Sequence, residues 1–395
     1  MSHRLADHRL AERVQLFPES VIREMTRVAQ QCDAVNLAQG FPDWDPPREV
    51  VDAAKRALDG GFNQYAVTWG APALRQAIAA HAKRGGIECD ADRNVTVTCG
   101  ATEAMMASML ALVDPGDEVV VLEPFYENYG PDAALSGAKP RFVSLYPQRG
   151  YRWDEEEVKA AFGPKTKAVI VNTPSNPSGR VLTQGELRLL ADLCIEHDAV
   201  AVTDEIYDFL TYDGREHVSL ATLPGMAERT ITIQGASKVY SMTGWRVAWC
   251  LAPETLSLAL RRVHDFLTVG APHPLQVAVA HALALPESYY AGLRERYALQ
   301  RGILVGALRA AGFRCEPPEG AYYVLADFTD FQAPASAKSD DRTFAEWLAR
   351  EVGVAGVPGS SFFSRPELGR SIVRFHFAKS EPVLRQAEER LRKGR

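Results

Sequence analysis

Short apolar runs alternate with amphipathic stretches through the middle of the chain. "NVTVTC" (94–99) has the β-branched texture of a strand, and "ATEAMMASMLALV" (101–113) has helical spacing. "DEVVVLE" (117–123) and "AVIVN" (168–172) are short and valine-rich, as strands covered on both faces are. "LTQGELRLLADLCIEH" (182–197) returns to helical spacing, and "AVAVTDE" (199–205), "TITIQ" (230–234) and "RVAWCLA" (246–252) read as further strands. This alternation predicts an α/β domain built on a mainly parallel, doubly wound sheet.

From about Pro286 the pattern changes. A long helical stretch, "YYAGLRERYALQRGILVGALRAAG", precedes a strand-like "AYYVLADF", a helix-like "TFAEWLAREVG", a strand-like "IVRFHF" and a charged terminal helix. These predict a smaller α+β domain over 286–395, following a large domain over 46–285. Residues 1–45 are then an N-terminal segment packing on the small domain or on a partner. The opening "MSHRLADHRLAERVQLF" is polar and helix-like and lacks the apolar centre of a signal peptide. No apolar run approaches the length of a membrane span.

Bulk numbers narrow the function classes. At 395 residues the chain exceeds one ordinary core, and 46% apolar with 24% charged residues is a globular composition. A net charge of −6 argues against nucleic acid or an anionic membrane as the main partner. The six cysteines (Cys32, Cys89, Cys99, Cys194, Cys250 and Cys315) are scattered without a C-x-x-C. That spacing opposes a disulfide framework or a zinc knuckle and predicts a reducing, cytoplasmic setting with no metal.

Open α/β sheets bind ligands outside the carboxyl ends of their strands. After "VTVTC" comes Gly100-Ala101-Thr102 opening a helix, which is either an ordinary turn or a seat for phosphate on free N–H groups. After "AVIVN", two prolines and a glycine shape the loop that carries Asn176, a turn residue or a presented amide. Asp204 ends the next strand, as a helix N-cap or as the partner of a cation, with Tyr207 three residues on. Lys238 follows "TITIQ" and is either a snorkelling lysine or a reactive, partly desolvated amine. Arg246, eight residues later, offers a fixed charge and a fork for phosphate. Together these describe a phosphate seat, an amide, a carboxylate with a tyrosine, and a lysine with an arginine. Pyridoxal 5′-phosphate needs that set.

In "NTPSNPSG", "TDEIYDFL", "SKVYSMTGWRVAW", "GVPGSSFF" and "IVRFHFA" the chain resembles the class I/II aminotransferases of fold type I over nearly its whole length. "VNLAQGFPDWDPP", "NQYAVTWGAPALRQAIA" and "LVDPGDEVVVLEPFYENY" resemble the kynurenine/glutamine aminotransferase branch, which includes cysteine-conjugate β-lyases. The resemblance implies that Lys238 forms the Schiff base and then moves the proton. It implies that Asp204 pairs with the pyridine N–H, while Tyr207 and Asn176 bond the ring hydroxyl. Ala101, Thr102 and Arg246 would hold the phosphate, Ser237 would assist, and Tyr126 would stack on the ring. Arg374 would clamp the substrate carboxylate, with Gly40 and Asn176 beside it. Tyr65 would reach the other subunit's phosphate in a homodimer.

The chain departs from the family pattern at Gly235, where a phosphate-binding serine is usual, with Ser237 available to compensate. Pro18 is followed by Glu19 and Ser20 rather than an aromatic residue, and Val269 and Gly270 replace an aromatic-histidine pair near His273. The implied activity is transfer of an amino group between an L-amino acid and a 2-oxo acid. The alternative on the same scaffold is β-elimination, or a biosynthetic cyclisation or decarboxylation. A catalytically dead relative would be expected to lack the lysine or the clamp, and both Lys238 and Arg374 are present. Neither G-x-G-x-x-G after the first strand nor G-x-x-x-x-G-K-[ST] occurs, which argues against a nucleotide-binding protein.

Overall fold

The computed structural model describes residue 9, residues 11–17 and residues 19–394. Most of the helix-like opening, and Pro18, lie outside the described residues. Within that stretch, Glu12–Gln15 forms a short 3-10 turn.

Seven strands form the central sheet: β1 (Val95–Thr98), β2 (Glu118–Glu123), β3 (Lys139–Ser144), β4 (Thr166–Asn172), β5 (Val200–Asp204), β6 (Thr230–Gly235) and β7 (Ala248–Leu251). Their spatial order is β1-β7-β6-β5-β4-β2-β3. The pairs from β3 across to β6 are parallel, whereas β7 runs antiparallel to both β6 and β1. The sheet is therefore mainly parallel with one reversed strand. β3, at one edge of the sheet, escapes the apolar-run criterion because "KPRFVS" is buried only at its end.

Alternate residues feed two cores, as strand geometry requires. Val120, Val169, Val171 and Ala201 pack on one face with Leu187, Leu190 and Cys194 of the helix Gln184–Glu196. Val119, Val121, Ile170, Val202, Ile231 and Ile233 pack on the other face with Ala104, Met105 and Met109 of the helix Ala101–Leu112. Burial on both faces explains the continuous apolar runs.

The C-terminal part builds a three-stranded antiparallel sheet in the order Val357–Pro358, Ile372–His376, Tyr323–Asp327. The helix Glu287–Ala311 and the terminal helix Glu381–Lys393 accompany it. The helix-like "TFAEWLAREVG" divides into an α-helix over Asp341–Trp347 and a π-helical turn over Leu348–Val352. Near the N-terminus, Val35–Asn36 pairs in parallel with Val354–Ala355. Ser20 caps the helix Val21–Gln31 by accepting from the Arg23 amide, while its hydroxyl donates to Glu127 Oε2 (2.6 Å). Among the described residues no helix is long and apolar enough to cross a membrane, and no cluster of His, Cys, Asp or Glu could hold a metal ion. All six cysteines are free thiols.

Candidate active site

β1, β4, β5 and β6 point the same way and end along one edge of the sheet. Chemistry-bearing residues follow each end. A cleft of about 190 Å³ opens there, and every residue expected at the site lines it except Tyr65.

At one end of the cleft Ala101 and Thr102 begin the helix Ala101–Leu112, so their amides belong to its unsatisfied first turn. Gly100 precedes them at φ +85°. A Cβ at Gly100 would strike the Arg246 guanidinium, so only glycine lets that cation sit against the helix start. Arg246 donates from Nη1 to the Thr243 carbonyl (3.1 Å) and from Nη2 to the Cys99 carbonyl (3.5 Å), which leaves three of its five N–H groups for an anion. Convergent amides, a helix N-terminus and an arginine fit a phosphate. Ser237 lines the cleft from the short helix Ala236–Val239 that follows β6.

Asp204 ends β5 and is buried. No helix follows it: residues 206–209 form a turn, and the Ile206 amide donates to Asp204 Oδ1 (3.2 Å). The carboxylate thus caps a turn. Its other oxygen accepts from Tyr129 Oη (2.8 Å). Burial raises the Asp204 carboxyl, opposed by the Tyr129 and Ile206 bonds and by Lys238. Tyr207 shares a hydroxyl contact with Tyr323 (2.9 Å). Tyr126 packs edge-on to Tyr129 with centroids 5.9 Å apart.

Lys238 extends from the helix after β6, and its Nζ donates to the Gly40 carbonyl (3.1 Å). Burial pushes the ammonium down to about 8. Arg246 and Arg374 push the same way, and Asp204 pulls against them. The lysine is therefore poised to shed its proton near neutral pH, the condition for a nucleophilic amine. Arg374, at 0% exposure, donates to Asn176 Oδ1 (2.8 Å) and to the Ala38 carbonyl (2.6 Å). Its guanidinium lies between the rings of Tyr323 (4.5 Å) and Phe362 (4.8 Å). Gly40 is required here because a Cβ would run into Tyr323.

The described residues 33–391 match the family model described as "Aminotransferase class I and II". The chain belongs to the class I and II aminotransferases. It is 37% identical to kynurenine–oxoglutarate transaminase 1 of Rattus norvegicus, with 97% of each chain covered. It is 38% identical to a methionine aminotransferase of Escherichia coli, covering 94% of this chain and 95% of the relative. The solved structure of N-succinyldiaminopimelate aminotransferase from Mycobacterium tuberculosis superposes with a TM-score of 0.93 at 38% identity, covering 98% of this chain and all of that one. This aminotransferase is accordingly a fold type I enzyme whose cofactor is pyridoxal 5′-phosphate. The cleft fits that group: anion donors at one end, a buried carboxylate at the other and an amine between them.

Tyr65 stands apart from the cleft at 84% exposure. His273 opens another helix, His273–Ala282, and does not line the cleft; it donates to the Gln64 carbonyl (3.0 Å). Sequence reasoning missed Tyr129, Asp132, Glu127 and Tyr323, all of which line the cleft. Tyr323 lay within a stretch read only as a strand. Tyr129 carried one usable signal, its position three residues after Tyr126.

The departure at Gly235 has a packing cause in this aminotransferase. Gly235 faces Ala248 across the β6–β7 pair. A Cβ at 235 would lie 2.8 Å from Ala248 Cβ and 3.0 Å from Ile206 Cδ1. Its backbone is extended, so space alone demands glycine. We predict that Gly235→Ser costs about 1–3 kcal/mol of stability through overpacking. Adding Ala248→Gly should recover most of it in denaturant unfolding. A single variant as stable as wild type would refute the packing account.

Proposed function

We propose that Lys238 is the residue that bonds the cofactor's aldehyde and then carries the substrate's Cα proton. The observation that carries this reading is a partly buried amine, held 3.1 Å from the Gly40 carbonyl, in one cleft with Asp204, Arg246 and Arg374. When bound, pyridoxal phosphate supplies an electron sink for charge developing at Cα. Asp204 is the anion for the ring nitrogen, kept in place by Tyr129 Oη and the Ile206 amide. Tyr126 gives the ring an aromatic face, and Tyr207 and Asn176 serve its hydroxyl. Ala101, Thr102, Ser237 and Arg246 hold the phosphate. Arg374 receives the substrate α-carboxylate with its free N–H groups, beside Asn176 and Gly40. Lys238 Nζ would take the Cα proton and return it to the carbon that was the cofactor's aldehyde, so one group would serve both transfers by proximity. Water would release the 2-oxo acid, leaving the amino group on the cofactor as an amine, and a second 2-oxo acid would take that group up, with loss of water, by the same proton movements in reverse.

The test is cofactor uptake by the apoprotein against pH. Only the neutral amine attacks, and its fraction rises through pH 8. Uptake should climb about tenfold per pH unit below 8 and level off above it. A rate that is flat from pH 6.5 to 8.5 would count against Lys238.

We also propose a homodimer in which Tyr65 reaches the partner's phosphate seat. Exposed Phe62, Tyr65 and Val67 neighbour exposed Phe266, Leu267 and Val269. The two stretches are joined where His264 donates to the Thr68 carbonyl (2.8 Å) and His273 to the Gln64 carbonyl (3.0 Å). An apolar patch of this kind supports burial by a second copy. Light scattering at micromolar concentration should give twice the chain mass; a fully active monomer would refute this. The pairing of Val35–Asn36 with Val354–Ala355 supports a division into an N-terminal segment (1–45) lying on a small domain (286–395), beside the large domain (46–285). Six free thiols support a reducing compartment such as the cytoplasm.

A further inference from the structure

Asp132 lies one helical turn beyond Tyr129 in the helix Tyr129–Ser136, a spacing that puts both on one face. Tyr129 reaches Asp204, so this face looks onto the carboxylate at the end of β5. Asp132 is 3% exposed, lines the same cleft, and its Oδ2 has no hydrogen-bond partner among the described residues. An ionised carboxylate left unpaired in such a place is too costly to persist, and the group neutralises instead. Burial pushes the Asp132 carboxyl up to about 8, and the charge of Asp204 adds to the rise.

We propose that Asp132 is a positioning residue for Asp204: a carboxyl that keeps its proton, so that this end of the cleft carries one negative charge and gains a hydrogen-bond donor. The inference rests on the cofactor site proposed above, because one negative charge is the match for one protonated ring nitrogen. Two ionised carboxylates would repel each other there. Other titratable groups share the cleft. Tyr126, Glu127 and Tyr129 come from the same chain segment, and Tyr207 from beyond β5. Lys238 and Arg246 come from beyond β6, Arg374 and Tyr323 from the C-terminal sheet, and Arg23 from the N-terminal helix. The packed helix Ala101–Leu112 presents Met105 to the cleft, and the turn Glu12–Gln15, which also touches the helix Tyr129–Ser136, carries Glu12 and Arg13 exposed. Asp204 is the charge that bears on Asp132.

The experiment compares thermal unfolding of wild-type apoprotein with Asp132→Asn at pH 5 and pH 9. A carboxyl raised in the folded state contributes stability that is full below its unfolded pKa and is lost as pH climbs through the folded value. Wild type should therefore fall behind Asp132→Asn, which cannot ionise, by several degrees more at pH 9 than at pH 5. Asp132→Ala gives the same comparison should the asparagine variant fail to fold. In an Asp204→Asn background the widening should shrink, because the neighbouring charge is gone. A gap equal at both pH values overturns the proposal, and a widening untouched by Asp204→Asn overturns the pairing. Equilibrium dialysis with pyridoxal phosphate separates the two readings. Wild type that binds none sinks the cofactor site and this role with it. Wild type that binds, with a flat gap, sinks the Asp132 role alone.

Discussion

Lys238→Ala should abolish amino-group transfer, with turnover down by a factor on the order of 10⁴ or more. Two losses combine. The variant has no amine to bond the aldehyde, and no base at the place where the Cα proton must be taken. The fold should survive. Lys238 makes one hydrogen bond, to the Gly40 carbonyl, and that carbonyl keeps a second donor in Tyr322 Oη (3.0 Å). Removing a desolvated amine also removes a cost of burial. The measurements are single-turnover conversion of an amino acid, the visible band that the cofactor gains on bonding an amine, and the unfolding temperature. Transamination at the wild-type rate would end the assignment.

The second large effect is expected at Arg374. Truncation to alanine removes a buried fork from the substrate carboxylate and should raise KM on the order of 10²- to 10³-fold. The cofactor dissociation constant should move by less than about threefold, because the phosphate seat at Ala101, Thr102 and Arg246 is built from other elements. Arg374→Ala also leaves the Ala38 carbonyl and Asn176 Oδ1 without their donor and opens a gap between Tyr323 and Phe362, so stability must be measured alongside. Arg374→Lys keeps the charge and loses the planar fork, and should rescue little. Equal losses of substrate and cofactor affinity would mean that the clamp lies elsewhere.

The legible parts of this protein were those governed by local pattern. Strands buried on both faces show as runs rich in valine, isoleucine or threonine, so β2, β4, β5 and β6 could be read directly. β3 could not, because only its last two residues are buried and its opening "KPR" is polar or strand-breaking. Lys238 and Asp204 stood out because charged residues just after apolar strands need a reason, and Arg246 because it is the next basic residue after Lys238, eight positions on. Tyr129 and Asp132 sit in "NYGPDAALS", an unremarkable amphipathic stretch, and only the folded chain turns that face toward β5. The contact of Gly235 with Ala248 was hidden for a related reason: the two face each other through antiparallel pairing, which neither residue announces.

The carbonyls of Ala38 and Gly40, two positions apart on the N-terminal segment, accept from Arg374 and Lys238 respectively. One short ribbon of backbone thus tethers both the anchor for an incoming acid and the amine that must engage it. Any outward slip of that ribbon loosens both tethers in a single stroke, so seating of the acid and readiness of the amine are geared together by three residues of main chain.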